Sequence, residues 1–305
     1  MEDFDSALDR FKKVFDNTKL IAQPKINNIL IVLDETEDRE NFIFDFVQRL
    51  NDRLTGKVSF MFLLAVRSYF MEAERSNIKV KTLSELLERV KTRFLGDADL
   101  FDVIFFPDQE KTPYERISEI IERRKVDLVI IPVPFTSGFV EEEQQSKSSL
   151  GVTIDKVIEK VVLDQKIPIL LVRKDFGDSL KHISILVRET TFRQDILGWI
   201  ITFSDENALI NLYPADLPRK ELIKLNLLVE IILENLKELS RPINIEIKPG
   251  EYSLNYFCSQ EIIESNSLII FQILRESQED SKTIISALCN QLNNTLILPQ
   301  EQNRK

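Results

Sequence analysis

The sequence predicts an α/β protein made of two consecutive five-stranded parallel-sheet domains, and three observations lead there. From residue 26 onward, short β-rich apolar runs alternate with stretches of helical periodicity. Several of the runs are too continuously apolar to be half-exposed, as expected for strands buried on both faces of a parallel sheet. The same order of elements then recurs in the second half of the chain. Such alternation requires right-handed crossovers and a sheet covered by helices on both faces.

The first strand is expected at 27–33 (Asn-Asn-Ile-Leu-Ile-Val-Leu), and a helix follows over 39–54 with Phe42, Phe46, Val47 and Leu50 at helical spacing. Residues 58–66 form the second strand, and 80–95 a helix carried by Leu83, Leu86, Leu87, Val90 and Phe94. A strand over 100–106 precedes a helix that opens after Pro113 with Tyr114, Ile117, Ile120 and Ile121. The fourth strand is 127–133, a helix covers 150–164, and the fifth strand is 168–172.

In the second half, strands are expected at 183–187, 208–213, 243–247, 268–273 and 295–298, with helices at 192–203, 217–239, 254–263 and 282–292. The long helix carries Leu225, Val229, Ile232, Leu236 and Leu239 on one stripe, with Pro218 near its start, where proline is tolerated. Gly177 and Asp178 suit a turn in the joint between the halves. The expected organisation is an extension over 1–25, a first domain over 26–174, a linker over 175–181 and a second domain over 182–305. In the extension, Phe4, Leu8, Phe11, Val14 and Phe15 form an amphipathic stripe. Two roles stay open for it: a helix docked on the body of the protein, or one that binds a partner or a second copy of the chain.

Composition narrows the function. The formal charge of −10 disfavours nucleic acid and anionic membrane, which need clustered Lys and Arg. The chain has no apolar run of membrane-spanning length and no signal-peptide pattern at its start, so a cytoplasmic protein without membrane insertion is expected. Cys258 and Cys289 fit no metal spacing and read as buried thiols, and the single histidine, His182, leaves no His cluster for a metal. There is no Gly-x-Ser-x-Gly elbow and no glycine-rich phosphate fingerprint, so no catalytic residue is assigned. The chain holds only seven glycines, which weighs against phosphate-cradling loops.

The first strand closes Ile31-Val32-Leu33-Asp34, the fourth reads Asp127-Leu128-Val129-Ile130-Ile131, and the fifth is led by Pro168 in Ile167-Pro168-Ile169-Leu170-Leu171-Val172. In this order, and with the five-strand unit repeated, the chain resembles a tandem universal stress protein from residue 26 onward. The resemblance implies a Rossmann-like fold of the adenine nucleotide alpha hydrolase type with strand order 3-2-1-4-5. In tandem members the two fifth strands lie edge to edge, which here implies pairing of 167–172 with 295–298 and removes two open edges.

Nucleotide-binding members of that family hold ATP, with magnesium, at the carboxyl ends of strands one and four. Carried onto this chain, the resemblance implies Asp34, Val66, Val133, Gly138, Gly151 and Thr153 as the binding positions of the first half. The phosphate loop departs from the family pattern of Gly, two residues, Gly, nine residues, Gly, then Ser or Thr. Phe135 stands at the first glycine, twelve residues (139–150) separate Gly138 from Gly151, and Val152 precedes Thr153. Glu141, Glu142 and Glu143 place three carboxylates in the same loop, which repel a triphosphate unless turned away or bridged by Mg²⁺. In the second half the first strand ends in Arg188-Glu189, and no glycine lies between Ile273 and Leu296, so no nucleotide is expected there.

The resemblance therefore implies a non-enzymatic stress-response or regulatory protein that acts through an unidentified protein partner. The alternative is an ATP-binding, slowly hydrolysing switch confined to the first half. A third class, an adenylating or pyrophosphatase-type enzyme, needs a Ser-Gly-Gly-type loop after strand one, where this chain has Asp34-Glu35-Thr36-Glu37.

Overall fold

The structure is a computed structural model. It describes residues 24–33, 37–54, 57–64, 76–93, 101–104, 113–132, 158–173, 180–188, 194–215, 217–238, 242–250, 252–253, 268–273, 278–289 and 293–299. The described chain packs as two compact units, one of residues 26–176 and 270–305, the other of residues 177–269 with Pro24 and Lys25.

In the first unit the strands are β1 (Asn28–Leu33), β2 (Ser59–Leu64), β3 (Phe101–Ile104), β4 (Leu128–Pro132) and β5 (Ile169–Val172). They lie in the order β3-β2-β1-β4-β5, as the resemblance implies. All four pairings are parallel. The continuous apolar runs have the expected cause: Ile29, Leu30 and Ile31 of β1 and Leu128, Val129 and Ile130 of β4 are all fully buried, side chains of both faces alike. Helix α1 (Glu37–Arg53) lies on the face of Phe62, against which Phe44 packs edge-on at 5.4 Å between ring centroids. On that face Phe60 stacks on Phe101 of β3 at 5.2 Å. Helix α2 (Ser76–Arg93) precedes β3, and α3 (Pro113–Arg124) precedes β4. Within α3, Ile117, Ile120 and Ile121 are buried at the spacing that predicted the helix. Before β5 a helical turn at 158–160 passes into a π-helical turn, Val161–Gln165, here called α4.

The fifth strand has a second neighbour. Strand β10 (Asn294–Leu298) pairs with β5 antiparallel, Thr295 opposite Leu171 and Ile297 opposite Ile169. This is the edge-to-edge pairing of the two fifth strands that the resemblance implies. Helix α7 (Gln278–Cys289) leads into β10, and β9 (Leu268–Gln272) lies beside it, with Ile273 N–H donating to the Leu298 carbonyl at 3.0 Å. Helix α7 starts four residues ahead of the expected 282, because Gln278, Glu279 and Asp280 form its first turn and carry no apolar periodicity.

In the second unit β6 (His182–Val187), β7 (Leu209–Pro214) and β8 (Asn244–Ile247) are parallel neighbours in that order. Their order, β6-β7-β8, is that of the matching strands β1-β2-β3 in the first unit. The stagger repeats too. Leu30, Met61 and Asp102 form one row across β1, β2 and β3, and Ser184, Asn211 and Glu246 form the matching row across β6, β7 and β8. Helix α5 (Gln194–Phe203) follows β6. Helix α6 (Arg219–Glu238) buries Leu225, Leu228, Val229, Ile232 and Leu236. Pro218 stands just ahead of it, its carbonyl accepting from the N–H groups of Glu221 and Leu222.

The shortage of glycine shows at the turns. Lys125 (φ 50°), Lys166 (φ 57°) and Asn207 (φ 62°) occupy the left-handed region, two of them directly after α3 and α4, where glycine is the usual terminator. A Cβ in that conformation costs about 1 kcal/mol. Lys125→Gly and Lys166→Gly are each expected to raise stability by about 0.5–1 kcal/mol, read as a higher urea midpoint. A lower midpoint in both variants would show that the lysine side chains stabilise these turns by more than the backbone strain costs.

Candidate functional site

The parallel strands bring one set of carboxyl ends together. Leu33 stands opposite Leu64, the last residues of β1 and β2, and Ile31 stands opposite Ile130, each two residues before its strand ends. The chain leaves β1 toward β2 on one side and has β4 on the other, so the ends of β1 and β4 form a topological switch point. Such a point is where open α/β sheets form their ligand crevice. Asp34 follows Leu33 directly, Val133 follows Pro132, and Val66 lies two residues beyond Leu64.

The backbone frame of the expected site is therefore present. The six residues assigned to it, Asp34, Val66, Val133, Gly138, Gly151 and Thr153, lie outside the described residues, as do Glu141 to Glu143. So do the amphipathic stripe from Phe4 to Phe15, the helix expected at 254–263 and Cys258. Cys289 is the last residue of α7, and His182 is the exposed first residue of β6. Among the described residues no group of three or more His, Cys, Asp or Glu side chains is placed to hold a metal ion.

At the opposite end of the same two strands, Asp127 has a definite task. Its Oδ2 accepts from the backbone N–H of Asn27 at 2.7 Å and of Asn28 at 3.0 Å. The Asp127 N–H in turn donates to the Asn28 carbonyl at 2.8 Å, and the Ser59 N–H donates to the Asn27 carbonyl at 2.7 Å. Asn28 Nδ2 adds a bond to the Lys125 carbonyl. One carboxylate thus ties the entry of β1 to the entry of β4. The sequence marks Asp127 only as a residue ahead of an apolar strand; its partners are 99 and 100 residues away.

Arg173, directly after β5, is 4% exposed. Its Nη1 donates to the Asn293 carbonyl at 2.8 Å and to Thr295 Oγ1 at 3.4 Å, and its Nη2 donates to the Leu288 carbonyl at 2.8 Å. Its backbone N–H donates to Asn294 Oδ1 at 2.7 Å. Asn293, Asn294 and Thr295 are fully buried. This polar knot fastens the turn between α7 and β10 to the end of β5. Nothing in the sequence pairs these residues, because a charged residue after a strand ordinarily reads as solvated.

The matching rows of the two halves also differ in chemistry. Leu30 and Met61 are apolar, whereas Ser184 and Asn211 are 1% and 6% exposed and have no hydrogen-bond partner for Ser184 Oγ or Asn211 Oδ1. The outer residues of the rows remain acidic: Asp102 lies 3.6 Å from Arg124 and Glu246 lies 2.7 Å from Lys248. The second half has thus kept the stagger of the first while changing what lies beneath its surface.

No protein-family model matches the chain. No curated protein matches it either. Solved structures do. One is the cytoplasmic domain of a prokaryotic cation chloride cotransporter, at TM-score 0.53 and 11% identity, covering 90% of this chain and 96% of that one. Another is assigned as a universal stress protein from Pseudomonas aeruginosa UCBPP-PA14, at TM-score 0.54 and 13% identity, covering 90% of this chain and 94% of that one. At such identities the likeness is one of fold, and it extends over nearly the whole chain. No helix among the described residues is long and apolar enough to cross a membrane.

Proposed function

We propose that this protein is a non-enzymatic regulatory protein of the universal stress type that works through protein contacts. The observation that carries the reading is the fold shared with a universal stress protein over nine-tenths of the chain. The sequence adds the departures in the phosphate loop, Phe135 at the first glycine position and twelve residues in place of nine.

The switch point between β1 and β4 favours a second reading, an ATP-binding and slowly hydrolysing switch. In it Asp34, Val66, Val133, Gly138, Gly151 and Thr153 hold ATP with magnesium. Calorimetric titration with ATP and Mg²⁺, on the intact protein and on Asp34→Ala, separates the two. The regulatory reading expects no saturable heat up to millimolar ATP. Micromolar binding that Asp34→Ala abolishes would overturn it in favour of the switch.

A further inference from the structure

Helix α5 differs from the other helices of this fold. A helix laid on a sheet buries one stripe and turns the rest outward. In α1, Gln48 and Asp52 are exposed; in α3, Glu115 and Glu122 to Arg124; in α6, Lys224, Asn226, Glu230, Glu234 and Lys237. In α5 every residue from 196 to 203 is buried, including Ile196 at 5%, Trp199 at 5%, Ile200 at 2% and Ile201 at 4%. Eight consecutive residues point in all directions around a helix, so α5 has no solvent side. Its only polar side chain in that stretch, Thr202, turns back to the Gly198 carbonyl at 2.8 Å. By order, α5 corresponds to α1, which does have an outer face. A further layer therefore lies over α5.

We propose that residues 4–15 supply that layer, as an amphipathic helix laid along α5. Three observations select this occupant. Phe4, Leu8, Phe11, Val14 and Phe15 form an apolar stripe that belongs to neither strand–helix repeat and so has no sheet of its own to cover. The described chain begins at Pro24, and Pro24 and Lys25 group with residues 177–269, the unit that holds α5, although β1 begins only three residues after Lys25. The dimensions agree: a helix of residues 4–15 is about 18 Å long against about 15 Å for α5, and the eight residues 16–23 reach about 25–30 Å when extended.

Trp199 makes the proposal measurable, because it is the only tryptophan in the chain. Deleting residues 1–22 is expected to move its emission to the red and to raise quenching by acrylamide, and a synthetic peptide of residues 1–22 added back is expected to reverse both. In the full-length chain, Phe11→Glu is expected to act in the same direction. Lys13→Glu, on the opposite side of the expected helix, is expected to leave Trp199 unchanged. The point variants keep the test decisive if the truncated chain does not fold. Sedimentation equilibrium of each sample identifies the competing occupant. The proposal is overturned if Trp199 stays buried in a truncated monomer, if it is shielded only in a dimer, or if Phe11→Glu and Lys13→Glu behave alike.

Discussion

Replacing Arg173 with alanine is expected to destabilise the unit of residues 26–176 and 270–305 by about 3–5 kcal/mol, the largest single-residue effect outside its apolar core. Two terms compete. Removing a buried guanidinium recovers the cost of desolvating it, several kcal/mol in a low-dielectric interior. Against this, the Leu288 carbonyl loses the guanidinium donor and the Asn293 carbonyl keeps only the Thr295 hydroxyl at 3.1 Å, in a region where Asn293, Asn294 and Thr295 are fully buried. Each orphaned acceptor costs about 1–3 kcal/mol, and the volume vacated by the side chain adds a cavity term. The second group wins because the bonds from Nη1 and Nη2 already offset much of the desolvation cost in the folded state, so little of it remains to recover.

The geometry yields a control. Nη1 and Nη2 serve two carbonyls at once, both at 2.8 Å, which a planar fork does and a single ammonium does not. Arg173→Lys should therefore regain only part of the loss. Thr295→Val removes the bond from Nη1 at 3.4 Å and the hydroxyl's own bond to the Asn293 carbonyl at 3.1 Å, but leaves both guanidinium bonds at 2.8 Å, so it should cost less than Arg173→Ala. Because both side chains belong to one network, the double variant should lose less than the sum of the two singles. Urea midpoints of the four proteins decide it. A loss below about 1 kcal/mol for Arg173→Ala would mean that the knot relaxes around water and does not fasten β10 to β5.

The contrast between the legible and the illegible parts of this molecule has a physical origin. The strands were readable because burial on both faces leaves a local mark, an unbroken apolar run such as Ile29 to Val32. The pairing of β5 with β10 was not local, and the resemblance to a duplicated family supplied it. Lys125 and Lys166 in left-handed backbone were invisible, since lysine carries no turn signal and a chain with seven glycines must end helices on other residues. Arg173 was invisible for a different reason: its partners are 115 to 122 residues away, and single-sequence patterns carry no pairwise information over that distance. At the candidate site the frame followed from the strand order, whereas Asp34, Val66, Val133, Gly138, Gly151 and Thr153 came from the family motif and fall outside the described residues.

The second large effect is expected at Asp127, where alanine should cost about 2 kcal/mol. Its carboxylate accepts two backbone N–H groups, at 2.7 and 3.0 Å, and hydrogen bonds to an ionised acceptor are worth about 1.5–3 kcal/mol when buried. Asn27 is exposed and Asn28 half-buried, so water takes over part of what alanine abandons, which keeps the figure below the sum of two buried bonds. Asp127→Asn keeps an oxygen acceptor in place and loses only the charge, so it should cost about half as much. Because β1 pairs with β2 over its whole length and with β4 from Ile29 to Ile31, the loss should be graded along the strand. Amide exchange at Asn27 and Asn28 should accelerate about 30-fold, the equivalent of 2 kcal/mol at tenfold per 1.4 kcal/mol. Exchange at Ile31, beyond the register pair Leu30 and Val129, should change less. Uniform acceleration from Asn28 to Leu33 would instead show that Asp127 governs the docking of β1 as a whole.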